Sequence, residues 1–389
     1  MSVVEPFSPP PTLFPSPPSP SLRISVVVPA RDEAPRLAAT LDALRAQVKA
    51  PHFEVLLLCN GCTDDTVEVA RRWQQAHPEF PLHIAEVVLP PACANIGTAR
   101  RLLMDAACAR LNRVRPGRTG LIASTDADTR PHPDWLYTLE RATDDGADAV
   151  GSRVLALPPD AVEAKSAARP LYLRDTAYHL LVAQLEDCLD PVPGDAKPRH
   201  FQFFGAGLGI TARAYQEVGG LPQVPCLEDV MLKRALQRRD LTIRHAPASR
   251  VVTLARRDGR VQTGLSTQLQ EWQDLARDNR EWTVPPAHEI AAELHARRAL
   301  RTAWHARPQA GGCTLSWQRC HNVDCWAEEL GLTPSAVTQV LQESCYFGAA
   351  WEDLLAARDG VGHWRAQFPP VPITAALRDL RLLLHAASG

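Results

Sequence analysis

Positive charge is not in excess: 42 Lys and Arg stand against 44 Asp and Glu, a formal net charge of −2. The chain therefore lacks the basic field that advertises nucleic-acid binding. Long apolar runs are also missing. None approaches the roughly 20 residues that a spanning helix needs, which leaves only a peripheral membrane contact open. The first residues lack the charged segment followed by an apolar one that marks a secretory signal. The ten cysteines follow no spacing typical of small secreted domains, so reduced thiols and a cytoplasmic location are expected. What the chain does have is apolar content, 45% of residues, ample for a buried core, and a length that fits two to three domains or one large one with an appendage.

Residues 1–22 hold eight of the 34 prolines and read as a disordered or polyproline-like tail. The pattern then changes. Ile24–Val28 (ISVVV) is a β-branched run suited to a strand buried on both faces. A helix follows with Leu37, Leu41, Leu44 and Val48 on one face. Glu54–Leu58 reads as a second strand, running into the turn cluster Cys59-Asn60-Gly61-Cys62-Thr63-Asp64-Asp65-Thr66 and another helix. His83–Leu89 is a third strand. Asn95-Ile96-Gly97-Thr98 opens a helix through Leu111, and Leu121–Thr125 is a fourth strand that ends in Asp126-Ala127-Asp128. Alternating strands and helices imply a parallel sheet with right-handed crossovers, in which ligands bind beyond the carboxyl ends of the strands. Asp32-Glu33, the Asn60–Asp65 cluster and Asp126–Asp128 all fall at such ends, which argues for one site. Residues i and i+2 of a strand share a face, so Asp126 and Asp128 can aim at one point, and hard divalent ions take carboxylate oxygens.

Further strands are expected at Asp148–Leu155, Phe201–Ile210 and within Thr242–Leu254, with helices over Leu171–Leu189, from Arg213 to Gly219-Gly220, and after Glu228-Asp229. From about Leu265 the aliphatic periodicity suggests four to six helices, so a boundary is placed there.

The ordered set VVVPARDEA, CNGCTDDT, NIGTARR, STDAD, Gly219-Gly220 and LEDV resembles the family 2 glycosyltransferases of the GT-A fold over roughly residues 23–255. The resemblance implies an α/β core with a mostly parallel central sheet flanked by helices, followed by a helical C-terminal extension from residue 265. It implies an inverting, metal-dependent enzyme that moves a sugar from a nucleoside diphosphate sugar to an acceptor hydroxyl. By the same resemblance Pro29, Ala30, Asp32, Glu33 and Asn60 cradle the nucleotide, and Asn95, Gly97 and Arg100 approach the diphosphate or donor sugar. Asp126 orients hydroxyls and shares Mn2+ or Mg2+ with Asp128, while Gly219 and Gly220 form a loop beside the sugars. Asp229 is the general base, with Glu228 its alternative. The turn departs from the family's usual Asp-Asp-Gly-Ser by reading Cys59-Asn60-Gly61-Cys62, which leaves the base open. Gln-x-x-Arg-Trp, common in processive relatives, is missing; His200, Arg256 and Arg257 are weaker candidates near the diphosphate.

Five other readings compete. Cys59-x-x-Cys62 invites a redox or zinc role, though no second pair is adjacent. Cys313, Cys320, His321 and Cys325 match no common zinc spacing. Trp326–Glu343 has the outline of a helix-turn-helix, yet residues 335–346 carry no Lys or Arg to contact phosphates, so an α-hairpin packing on the catalytic domain is expected. A nucleotidyltransferase would announce a glycine-rich basic loop where this chain has the acidic PARDEAPR, and an inactive nucleotide-sugar-binding protein need not keep Asp126, Asp128 and Asp229 together.

Overall fold

A computed structural model describes residues 13–114, 120–195, 197–256, 263–306 and 323–388. The first part of the chain runs β1 (Ile24–Ala30), α1 (Ala34–Arg45), β2 (Phe53–Asn60), α2 (Thr66–Ala76), β3 (Leu82–Val87), α3 (Ile96–Val114) and β4 (Leu121–Thr125). It continues through β5 (Arg130–Pro131), α4 (Trp135–Asp144), β6 (Ala149–Leu157), α5 (Ala161–Ala164) and α6 (Ala168–Leu189). After these come β7 (Gly207–Thr211), α7 (Ala212–Glu217), α8 (Glu228–Gln237) and β8 (Ile243–Leu254). The chain divides into two compact units. One takes in the chain through Lys165, Gln202–Ala235 and Thr242–Gln270; the other takes in Ser166–Phe201, Leu236–Leu241 and the chain from Glu271 onward.

In the first unit eight strands form one sheet in the order β3-β2-β1-β4-β7-β6-β8-β5. The pairs β1–β2, β2–β3, β1–β4 and β6–β8 are parallel, whereas β7 is antiparallel to both β4 and β6, and β5 to β8. The mostly parallel sheet flanked by helices is the expected architecture. Every residue of β1 and β4 is buried, as the unbroken β-branched runs require of strands covered on both faces. Leu37, Leu41 and Leu44 of α1, Val67, Ala70 and Trp73 of α2, and Trp135, Leu136 and Leu139 of α4 pack with β1, β2 and β4 in one apolar cluster.

Two expectations need correction. The strand expected over Phe201–Ile210 begins only at Gly207, and residues 201–206 form an irregular approach to it; hydropathy carries neither the late start nor the reversed direction of β7. Of the proline-rich stretch read as a free tail, residues 13–22 are ordered: Phe14 and Leu22 are buried. The guanidinium of Arg110 donates to the carbonyls of Ser16 (2.6 Å) and Phe14 (3.3 Å).

Arg110 also grips Glu54 of β2, donating through Nε to Oε1 (2.8 Å) and through Nη2 to Oε2 (2.6 Å), while Ser25 Oγ donates to Oε1 at 2.7 Å. Burial alone would raise the Glu54 pKa, but hydrogen bonds from Arg110, His83 and Ser25 overcome it and hold the carboxyl at about 2. A folded pKa below the unfolded value stabilises the fold above about pH 4.5, and that stability is lost as pH falls toward 2. The shift corresponds to about 3 kcal/mol. Glu54→Gln is therefore expected to lower stability at pH 7 by about that amount and to flatten the dependence between pH 5 and 2. Urea titrations across that range test it; parallel pH profiles for the two proteins would contradict the assignment.

The second unit is helical. It adds α10 (Ala287–Ala306), α11 (Val323–Leu330), α12 (Pro334–Glu343), α13 (Phe347–Val361) and α15 (Ile373–Ser388), with α9 (Leu265–Arg277) entering it at Glu271 and the five-residue α14 (His363–Gln367) between the last two long helices. A small ladder pairs β9 (Thr283–Val284) with β10 (Val371–Pro372). Residues of α6, α10 and α15 share one core. The α11–α12 hairpin buries Trp326, Leu330, Val337 and Leu341 in a second core with α10 and α13, so its core partners lie within its own unit. Thus α6, placed by the sequence before the domain boundary, belongs to the helical unit.

Candidate active site

The carboxyl ends of β1, β2 and β4 bring the acidic clusters to one edge of the sheet. Past β1 the chain turns sharply at Asp32, whose φ of 47° is unusual for a residue with a side chain. Asp32 Oδ1 holds that turn by accepting from the N–H (2.6 Å) and hydroxyl (3.1 Å) of Thr63. The buried Glu33 donates its backbone N–H to Thr66 Oγ1 (2.7 Å). Pro29 and Ala30 lie inside β1, in register with Leu58 and Cys59. Asn60, the last residue of β2, accepts from the N–H of Leu89 (3.2 Å), which pins the strand end to the chain beyond β3. Cys59 and Cys62 share a hydrogen bond that pushes the Cys59 thiol up and draws Cys62 down to about 7.

Asn95 caps α3, accepting from Thr98 N–H at 2.9 Å. Gly97 is required by close approach: a Cβ there would sit 2.0 Å from the carbonyl oxygen of Val224. That contact seats the 221–227 segment against the first turn of α3 and so delivers Glu228 and Asp229 at the start of α8.

Arg100 departs from its expected role. Its side chain is only 4% exposed, and its guanidinium donates to Asp126 Oδ1 at 2.5 Å and, more closely, to Glu228 Oε1. Gly205 makes room for it, since a Cβ there would lie 2.5 Å from the guanidinium. The arginine anticipated at the donor's diphosphate is instead an internal tie between two acidic residues 102 positions apart in sequence, and Glu228, buried and paired to it, is poorly placed to take a proton. Asp229 differs. It is partly exposed, its Oδ2 accepts from Gly205 N–H (2.8 Å), and its Oδ1 accepts from Val230 N–H (2.8 Å).

Arg256, just past β8, donates through Nη2 to Asp128 Oδ2 (2.5 Å) and Glu33 Oε1 (3.0 Å). The hydroxyls of Thr129 (3.4 Å) and Thr253 (3.5 Å) lie beside Asp128 Oδ1. Thus Arg256, a weaker candidate in the sequence, joins Glu33 and Asp128. Arg257, Cys313, Cys320 and His321 lie outside the described residues. His200 is buried within the helical unit.

Gly219 and Gly220, both at positive φ, end α7. They line a cavity of about 370 Å³ with Arg101, Asp105, Cys108 and Tyr215. None of the acidic residues 126, 128 and 229 lines it, so the structure does not join the glycine pair to them.

Desolvation raises the Asp126 pKa, Arg100 opposes that, and the charges of Asp128 and Asp229 raise it further. The carboxylates of Asp128, two residues on, and of Asp229, from the start of α8, therefore lie near enough to act on Asp126. The donor set suits a hard divalent cation: carboxylate oxygens and no thiolate or imidazole. Among the described residues no group of three or more His, Cys, Asp or Glu side chains is arranged to hold a metal ion by itself. No helix among the described residues is long and apolar enough to cross a membrane.

Comparison with known proteins gives the site a context. Over 177 residues, 42% of this chain and 50% of the relative, the sequence is 32% identical to a dolichyl-phosphate beta-glucosyltransferase of Drosophila melanogaster. It is 26% identical to the glycosyltransferase AglE of Haloferax volcanii over 34% of this chain and 39% of that protein. The chain thus matches at most about half the length of these curated relatives. The mannosyltransferase PcManGT of Pyrobaculum calidifontis, solved with GDP-Man and Mn2+, aligns over 97% of this chain and 90% of its own at 18% identity and a TM-score of 0.42. Residues 25–184 match the model of Glycosyl transferase family 2, a span that takes in β2 to β6, Asp126 and Asp128.

Proposed function

We propose that the α/β unit transfers a hexose from a nucleoside diphosphate sugar to an acceptor hydroxyl with inversion at the anomeric carbon. The observation that carries this reading is that Arg100 bonds both Asp126, just past β4, and Glu228, at the start of α8, which brings the Asp126–Asp128 strand end beside Asp229. Asp128 and Asp126 would hold Mn2+ or Mg2+, which when bound neutralises charge on the departing nucleoside diphosphate. Asp229 takes the proton from the acceptor hydroxyl as it attacks from the far face of the sugar. Its carboxylate is oriented for this by the Gly205 and Val230 N–H groups. Arg100 fixes Asp126 relative to α8 and so keeps donor and base sites in register. The Asp32–Thr63 and Asn60–Leu89 bonds shape the strand ends where a nucleotide would lie. The cytoplasmic setting rests on the sequence pattern alone.

The experiment is nucleoside diphosphate release from UDP-glucose, GDP-mannose, CDP-glucose and dTDP-glucose with Mn2+, without acceptor, with simple sugars as hydroxyl acceptors, and with dolichyl phosphate, which accepts through a phosphate oxygen and is suggested by the fly relative's name. Release from one donor, increased by an acceptor and abolished in Asp128→Ala, is expected. Equal release in the variant would refute the site.

A further inference from the structure

Two arginines meet the acidic group, and they differ in kind. Arg100 is 4% exposed and wedged against Gly205, so it is a fixed part of the framework. Arg256 is 18% exposed, follows the last residue of β8 by two positions, and reaches its partners at the end of a long, rotatable side chain. It touches Asp128 through Oδ2, at 2.5 Å, and the same nitrogen lies 3.0 Å from Glu33. Glu33 has a second arginine, since Arg36 sits 3.3 Å from its other oxygen. A cation bound to Asp128 must compete with Arg256 for the charge of that carboxylate and, on Oδ2, for the oxygen itself. A divalent ion of this class sits about 2.0–2.6 Å from its oxygens, and a guanidinium hydrogen-bonded to the same oxygen occupies the space that ion needs.

We propose that Arg256 is a resident counter-ion of the acidic site, bridging Glu33 and Asp128 until a divalent cation takes its place on Asp128. This rests on the reading of Asp128 as a metal ligand. Arg256 relieves the repulsion between carboxylates in the empty site, and a metal must displace it, so free metal ion binds more weakly than Asp126 and Asp128 alone would allow. Glu33 retains the released guanidinium beside the site, where an anionic diphosphate offers it a new partner. Metal and nucleoside diphosphate should therefore favour each other's binding.

The test is Mn2+ binding to the full chain without nucleotide, followed by the electron paramagnetic resonance signal of the free ion, for wild type, Arg256→Gln, Arg256→Lys and Asp128→Asn. Removing a charge-assisted hydrogen bond that competes with the metal is expected to tighten binding on the order of tenfold in Arg256→Gln. Arg256→Lys should fall between it and wild type, and Asp128→Asn should bind weakest. Adding UDP or GDP should tighten Mn2+ binding in wild type more than in Arg256→Gln. Unchanged or weaker Mn2+ binding in Arg256→Gln, with binding still dependent on Asp128, would overturn the counter-ion role and leave the metal site standing. Absence of Mn2+ binding in wild type and both arginine variants, with or without nucleotide, would overturn the metal reading itself and this inference with it. If Arg256→Gln does not fold, the Lys variant carries the comparison: tighter binding than wild type supports the proposal, and equal or weaker binding refutes it.

Discussion

Asp229→Asn is expected to bind donor nucleotide and metal as wild type does while losing transfer by about a hundredfold to ten-thousandfold, the usual contribution of a positioned general base. The amide keeps the size and one acceptor oxygen, enough for Gly205 N–H or Val230 N–H but not both, so a small loss of stability at the start of α8 should accompany the loss of the base. What is lost is the ability to take a proton. Comparison of kcat with nucleotide affinity in the two proteins checks this; full turnover by the variant would remove Asp229 from the mechanism, and an equal loss of nucleotide binding would make it a donor residue. Glu228→Gln separates the pair, because Glu228 is buried against Arg100 and its replacement should affect stability before chemistry.

The second large effect is structural. Arg100→Ala leaves Asp126 and Glu228 without their shared cation. Breaking a buried charge pair by removing one partner costs about 3–5 kcal/mol, roughly a 10 °C fall in Tm for a unit of this size. Lys at the same position restores charge but cannot fork between two carboxylates, so Arg100→Lys should recover only part of the loss. Thermal unfolding of the three proteins tests it. An unshifted Tm in Arg100→Ala would mean that the tie between α3, β4 and α8 is not holding the site, and that Arg100 is available to ligands after all.

Much of this architecture was legible because the physics is local. Ile24–Val28 and Leu121–Thr125 could be read as buried strands from unbroken apolar runs, and their order with the intervening helices implied the parallel sheet. Asp126 and Asp128 could be placed at a ligand-facing strand end for the same reason. The misreadings all concern partners distant in sequence. Arg100 lies near the start of α3, where an anion site is a fair expectation; that it turns inward depends on the missing side chain of Gly205, far along the chain. Arg256 pairs with a carboxylate 128 residues earlier, and only the arginine pair Arg256-Arg257 just after a strand hinted at it. The direction of β7 leaves no trace in hydropathy, since a buried strand reads alike either way. Gly219-Gly220 was recognisable as a helix end, but which cavity it faces was set by Arg101 and Tyr215.

The central claim is that the edge of this sheet is a metal-dependent nucleoside diphosphate site. It is tested most directly by thermal unfolding of the protein with UDP, GDP, CDP or dTDP, each with and without Mn2+. A ligand at a hundredfold excess over its Kd adds about 2.7 kcal/mol of stability to the state it binds. The account predicts a shift with one of these nucleotides that requires Mn2+ and disappears in Asp128→Ala. A shift that is independent of Mn2+ and survives in Asp128→Ala, or no shift with any of the four, would contradict it.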